Sequence, residues 1–346
     1  MSGLKITAPG LHTTVQDLGR FGYQDVGMPV AGALDAESLR LANGLLGNPP
    51  GTAALEIIFQ GPTIEVLAES ARVALVGGDA ALEILGEEKL LVPAGQTVRL
   101  VEGQSFRIGA IADAACCYLA VEGGFALTPV LGSLSTYVRG RIGGVEGRAL
   151  KANDILPLAK ASAEEREEQR LRTLPAVGKD RTIRVVLGPQ DDYFTEESLA
   201  TFLAADYAVS KSADRMGLRL DGPLLRHRET YNIASDGIAT GAIQVPGSGQ
   251  PILLLADHQT AGGYPKIATV ISADLPLVAR RRTSDKIRFA AVSVAEAEAA
   301  RRAFEAALQE QLADLEPVRP SARIDLKRLY SHNLISGVVS AAETGL

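Results

Sequence analysis

Residues 251–277, PILLLADHQTAGGYPKIATVISADLPL, decide the fold. Two short apolar runs, Ile252 to Ala256 and Ile267 to Ser272, read as strands, and the turn formers between them make a hairpin the economical expectation. The connecting loop holds most of the local chemistry: Asp257, His258, Gln259, Thr260, Tyr264 and Lys266. Gly262 and Gly263 permit positive φ or close approach of backbone to a ligand, and Pro265 biases Tyr264 toward an extended conformation. Lys266 enters a strand directly from the loop, which restricts its side chain. A plain surface loop rich in turn formers is the competing reading.

Toward the C-terminus, Lys286 to Phe289 ends the β-rich text. Val294 to Leu315 then carries Ala297, Ala300, Phe304, Ala307, Leu308 and Leu312 as one helical stripe, which is expected to pack on its own domain, with a partner surface as the second option. The tail, RIDLKRLYSHNLISGVVSAAETGL, is apolar enough to dock. Toward the N-terminus, a strand over Ile183 to Leu187 precedes a helix that Thr195 can cap, running through Phe202. The segment Ala161 to Asp180 is dense in charge and reads as a connector, helical before Pro175.

In the first half, Asp35 can cap a helix through AESLRLANGLLG, stopped at Gly47. Short strands follow at Ala54 to Phe59, Thr63 to Leu67, Ala71 to Val76, Ala81 to Leu85, Thr97 to Leu100 and Cys116 to Val121. Their spacing and Gly-Pro and Gly-Gly-Asp turns predict a barrel or sandwich and not a βαβ sheet. The run Gly132 to Gly147 lacks the strand-to-helix setting of a phosphate loop and reads as a flexible structural loop in preference to an anion site. IIFQGP and LRLDGP hint that the two halves are related modules. The fold class is therefore mainly β with a few helices (α+β) in two domains: a β-rich domain over 1–160, a connector over 161–180, a second β domain over 181–292, and a helix with a docking tail over 293–346.

Composition narrows the function classes. A length of 346 residues with 46% hydrophobic residues supports a sizeable core. A net charge of −6, few aromatics and no Trp oppose nucleic-acid binding. No apolar run has the length of a membrane span and the first residues lack a secretion signal, so no membrane partner and a cytoplasmic location are expected. Cys116 and Cys117 are adjacent, an awkward arrangement for a disulfide, and four scattered histidines show no metal-ligand spacing, so no metal is expected. No GxSxG elbow, Walker lysine or Met-Lys-Met biotinylation sequence is present.

Several longer stretches carry a resemblance: HTTVQDLGRFGYQDVGMPVAGALD (12–35) with LANGLLGN (41–48), GGDAALEILG (77–86), LGSLSTY (131–137) with GGVEGRAL (143–150), SADRMGLRLDGP (212–223), GAIQVPGSGQPILLLADHQTAGGYPKIATVISADLP (241–276) and NLISGVVSA (333–341). In order and over nearly the whole chain, they resemble the biotin-dependent carboxyltransferase family, which covers allophanate hydrolase subunit 2, the carboxyltransferase part of urea amidolyase and the C subunit of 5-oxoprolinase. The resemblance departs at Thr283 and Ser284, where Pro-Gly is usual, and at Asn153, where glycine is usual.

This resemblance implies a cyclophilin-like β-barrel in at least the C-terminal half. It also implies partners resembling the B subunit of 5-oxoprolinase (the allophanate hydrolase subunit 1 family) and its A subunit, the complex hydrolysing 5-oxo-L-proline to L-glutamate with ATP. No cofactor is expected on this chain alone: ATP acts at the level of the complex, and biotin enters only on another chain. The alternatives are the carboxyltransferase component of a biotin-dependent urea carboxylase or allophanate hydrolase system, and a regulatory protein that antagonises a kinase inhibitor resembling the B subunit. Opening a lactam or amide requires a held substrate, a stabilised oxyanion and water. Lys266 and Arg215 are the candidate contacts for carboxylate, phosphate or oxyanion, although Arg215 can instead pair with a nearby acid. Asp257 is a candidate base or an orienter of Lys266. Gln259, Thr260, Tyr264 and Gln244 are candidate neutral donors, with Gly262 and Gly263 shaping the substrate site.

Overall fold

The structure, a computed structural model, describes residues 2–87 and 89–318. The tail over 323–346, including the NLISGVVSA stretch, therefore lies outside the described residues. No helix among those described is long and apolar enough to cross a membrane.

The first half builds two antiparallel sheets, of six and five strands. The central strand of the smaller sheet, Cys116–Val121, shows why its text is an unbroken apolar run. Cys117, Leu119 and Val121 face the core between the sheets, while Cys116, Tyr118 and Ala120 face a second core under helices. The first helix, α1 (Ala36–Leu45), lies on that outer face, capped as expected by the Asp35 side chain, which accepts from Ser38 N at 3.1 Å. The strands Leu90–Pro93 and Ser105–Ile108 were not anticipated.

The second half forms one eight-stranded sheet whose two edge strands, Lys286–Ile287 and Phe289–Ala291, are separated in sequence by Arg288 alone. A sheet whose first and last strands are consecutive in the chain has curled almost into a closed barrel. The barrel that the resemblance implies is present, and the halves do not share a strand order. Helix α2 (Glu196–Ala204), capped by Thr195, stacks Phe202 on Phe289 with ring centroids 4.7 Å apart. A five-residue helix, α3 (Leu275–Ala279), follows the barrel strand Lys266–Val270 and lies against α1.

Other expectations fail here. The strands Ile252–Leu254 and Lys266–Val270 are not a hairpin, because Ala242–Gln244 lies between them and pairs with both. The connector is not helical. Arg72, buried in the N-terminal sheet, holds it extended: Nη1 donates to Glu122 (2.9 Å) and to Glu164 O (2.8 Å), Nη2 to Arg166 O (3.0 Å), and Nε to Glu168 (3.1 Å). Those backbone carbonyls would be consumed inside a helix. Finally, α4 (Val294–Ala313) packs on more than its own domain. Leu308 joins the core beneath α1, Glu305 forms a bidentate pair with Arg40 (2.7 and 2.9 Å), and Leu312 fills the space over Gly44, where a Cβ would meet its Cδ2 at 2.3 Å.

The glycine-dense run is anchored and not loose. Asp17 accepts from the hydroxyl of Ser133 (2.7 Å), from that of Ser135 (2.5 Å) and from Leu134 N (2.6 Å). Two of the three departures noted above sit where glycine would be at ease: Ser284 has φ +74° and Asn153 φ +71°.

Candidate functional site

The candidate residues fall into two groups. Arg215 lies at the junction of the halves. Its Nε and Nη2 grip Asp257 in a bidentate pair (3.0 and 2.9 Å), Nη2 also donates to Gly32 O (2.6 Å), and Nη1 makes a short contact with Glu56 of the N-terminal sheet. Glu56 is wholly buried and accepts further hydrogen bonds from the Tyr118 hydroxyl (2.5 Å) and Leu34 N (2.9 Å). Burial alone would lower the Arg215 pKa, but the two carboxylates outweigh it and hold the guanidinium above its usual value. Arg280 forms a second junction: Nε and Nη2 pair with Asp35 at 2.7 and 3.0 Å, and Nη2 reaches Glu37 at 2.5 Å. Cavities of 290 Å³, lined by Arg215, His12 and Phe59, and of 480 Å³, lined by Ala31, Leu255 and Phe304, open along this interface.

The second group surrounds Lys266 inside the barrel sheet. Lys266 is paired across the sheet with Gln244, and the ladder slips at Gln244, an irregularity that re-aims side chains. Its ammonium donates to Asp236 Oδ2 (2.7 Å) and Gly237 O (3.2 Å), leaving one of its three N–H groups without an acceptor among the described residues. Gln190 ties the cluster together: its carbonyl accepts from Lys266 N (3.1 Å) and its amide donates to Asp236 (3.2 Å). Asp236 and Gly237 pair with Ala261 and Gly262 in a two-stranded ribbon laid over the site. Beneath it, the Gln259 amide donates to Gln244 Oε1 (3.3 Å) and the Gln244 amide to Tyr264 O (3.4 Å).

The structure thus gathers Lys266, Gln244, Gln259, Tyr264 and Gly262. It separates them from Arg215 and Asp257. Lys266 aligns with Gln244, whereas Asp257 follows Leu254, whose carbonyl accepts from Gly241 N at the other end of the intervening strand. Asp257 therefore does not orient Lys266; it is committed to Arg215. Thr260 contributes its carbonyl, accepting from Ile238 N at 3.0 Å. Neither Gly262 nor Gly263 takes positive φ; Gly262 serves close approach, since a Cβ there would meet Gln244 Nε2 at 2.8 Å. His258 is buried with Nδ1 2.6 Å from Gln259 O and Nε2 3.1 Å from the Thr240 hydroxyl. A carbonyl only accepts, so Nδ1 carries a proton; burial lowers the ring's pKa, against the pull of the Gln259 carbonyl, and so favours the neutral form. Lys266 lines neither interface cavity.

Sequence reading missed Asp236, Gln190 and Glu56. The Asp236-Gly237 dipeptide signals a turn, but nothing local ties it to a lysine thirty residues away.

Residues 26–291 match the carboxyltransferase domain family, subdomains A and B. The chain belongs to that family. Among its relatives, this carboxyltransferase-family chain is 37% identical over 299 residues to the C subunit of 5-oxoprolinase from Escherichia coli (strain K12), covering 86% of this chain and 94% of the relative. It is 32% identical over 312 residues to urea amidolyase of Saccharomyces cerevisiae, covering 84% of this chain but 17% of that protein. The crystal structure of the K. lactis urea amidolyase superposes with a TM-score of 0.82 at 28% identity, over 92% of this chain and 20% of the larger one. The carboxyltransferase fold thus occurs both in a protein of this chain's length and within far larger ones.

Proposed function

We propose that this chain is the C subunit of a multi-subunit, ATP-dependent 5-oxoprolinase that hydrolyses 5-oxo-L-proline to L-glutamate. The observation that carries this reading is the end-to-end match to the 5-oxoprolinase C subunit, 94% of the relative, against 17% of urea amidolyase. The partners are chains of the A and B types of that enzyme, and ATP acts at the level of the complex.

A lactam carbonyl resists attack until activated, and opening it places negative charge on oxygen. Lys266 supplies a fixed positive charge with one N–H to spare, and the amides of Gln259 and Gln244 provide neutral hydrogen bonding beside it. Arg215 and Asp257 do not touch substrate in this reading. They fix the relative position of the two halves, so the ribbon over Lys266 stands on a rigid base.

The test is ATP-dependent glutamate release from 5-oxoproline by this chain with its partner subunits, for wild type and Lys266→Met. The expected result is activity that requires this chain and falls by about 100-fold in the variant, the scale of losing one oxyanion contact. Unchanged activity in Lys266→Met would remove Lys266 from the site. Assembly without glutamate release would overturn the substrate, and urea with a biotinylated partner would be the next assay, on the strength of the urea amidolyase relative.

A further inference from the structure

The arginines of this protein's buried ion pairs share a feature that the Lys266 pair lacks. Arg72 pairs with Glu122, Arg215 with Glu56 and Asp257, and Arg280 with Asp35; in each case the carboxylate is buried with the arginine. Such pairs fix structure, because neither ion can leave without stranding the other in a low-dielectric setting. The Lys266 side chain is also sealed, 3% exposed, yet its one carboxylate partner among the described residues, Asp236, is 52% exposed. Asp236 sits on an exposed two-residue strand preceded by exposed Ala234 and Ser235, and water can solvate it if it swings away. The ammonium cannot follow. Arg20 and Arg281 are buried on backbone carbonyls alone, but their guanidiniums are delocalised and weakly hydrated; a compact ammonium gives up more water on burial and is better served by an anion, a position Asp236 occupies from the solvent side.

We infer that Asp236 is a resident counter-ion which an incoming substrate carboxylate displaces from Lys266, an exchange by which the site selects carboxylate-bearing ligands over neutral ones. This rests on the reading that Lys266 faces substrate. The exchange conserves charge: one carboxylate leaves the ammonium for water as another arrives. A neutral amide cannot make the trade, since it would leave Lys266 buried without a counter-charge. Gln190 keeps its hold on Lys266 N throughout, so the strand itself need not move.

The test is calorimetric titration of the purified full-length chain with 5-oxo-L-proline and with its neutral carboxamide. Wild type is expected to bind the acid at least about tenfold more tightly, the equivalent of one charge-assisted hydrogen bond. Asp236→Ala and Asp236→Asn should each tighten the acid by about fivefold, the upper end for an ion pair with an exposed partner, and leave the amide unchanged. Lys266→Met should abolish the preference for acid; should that variant fail to fold, the two Asp236 variants carry the test. A supporting role for Asp236 predicts the opposite sign, so weaker acid binding in both Asp236 variants overturns the inference. Equal affinity for acid and amide, or no binding of the acid by any form, does so too. Glutamate release by the complex is scored separately: a silent complex with intact exchange sinks the 5-oxoprolinase reading alone.

Discussion

Replacing Arg215 by Met is the sharpest perturbation of the interface. Methionine approximates the aliphatic stem but removes every hydrogen bond, leaving Glu56 and Asp257, both buried, without their cation. Breaking a buried pair from one side costs about 3–5 kcal/mol, because the stranded carboxylates keep their desolvation penalty. Glu56 retains the Tyr118 hydroxyl and Leu34 N, so the lower half of that range applies, roughly 3–4 kcal/mol. With an unfolding entropy near 2.1 cal/mol/K per residue, that is a fall in Tm of about 5 °C if the two halves unfold as one. The decisive assay is a double-mutant cycle. Glu56→Gln in the Arg215→Met background removes one stranded charge while preserving an acceptor for Leu34 N, so the double variant should recover about 1–2 kcal/mol relative to additivity in calorimetric or urea unfolding. Additive losses within about 0.5 kcal/mol would refute the argument that Glu56 and Arg215 compensate one another.

The other predictions are narrower. His12 and His258 both have pKa values lowered chiefly by burial, so the unfolded chain takes up protons that the folded chain refuses. Their contribution is fully present above the unfolded value of about 6.5 and is lost as pH falls below it, at up to about 1.4 kcal/mol per pH unit for each ring. Urea unfolding at pH 7.5, 6.5 and 5.5 should show this slope, and His258→Gln should reduce it. Ser284→Gly should stabilise the protein by about 0.5–1 kcal/mol, because serine at φ +74° carries a steric penalty that glycine lacks. Asn153→Gly should gain less, since asparagine tolerates the left-handed region; thermal melts that reverse this order would count against the backbone argument. Loss of glutamate release in Lys266→Met and tighter acid binding in the Asp236 variants complete the set.

What was legible in the sequence was local. Asp35 and Thr195 announced their helices because a capping side chain acts within three residues of itself. Short apolar runs separated by turn formers announced two β-rich halves. What stayed hidden was partnership across distance. The strand Ala242–Gln244 slips between two runs that read as a hairpin, and only sheet pairing reveals it. Arg215 and Glu56 are 159 residues apart. The charged connector read as a helix because its glutamates suit one; its conformation is dictated by Arg72, whose demand for carbonyl oxygens outweighs local propensity. The candidate lysine was visible, but its counter-ion was not. Asp257, at the start of the loop that leads into Lys266, was the natural choice, and the strand order carried it to the other end of the intervening strand.

The ribbon that pairs Gln169–Arg170 with Glu316–Pro317 has a mechanical consequence. The chain's passage into the barrel and its return along α4 meet side by side, fastened to each other and to the N-terminal sheet through Leu171 N and Gly95 O at 2.8 Å. Arg215 and Arg280 tie the barrel to the first half again, through buried ion pairs with Glu56 and Asp35. Bending the molecule about its middle would therefore have to rupture both at once. Adjustments that admit a ligand are confined to elements the size of the Asp236 ribbon, and rates of binding should track the fluctuation of that ribbon and not the swing of a domain.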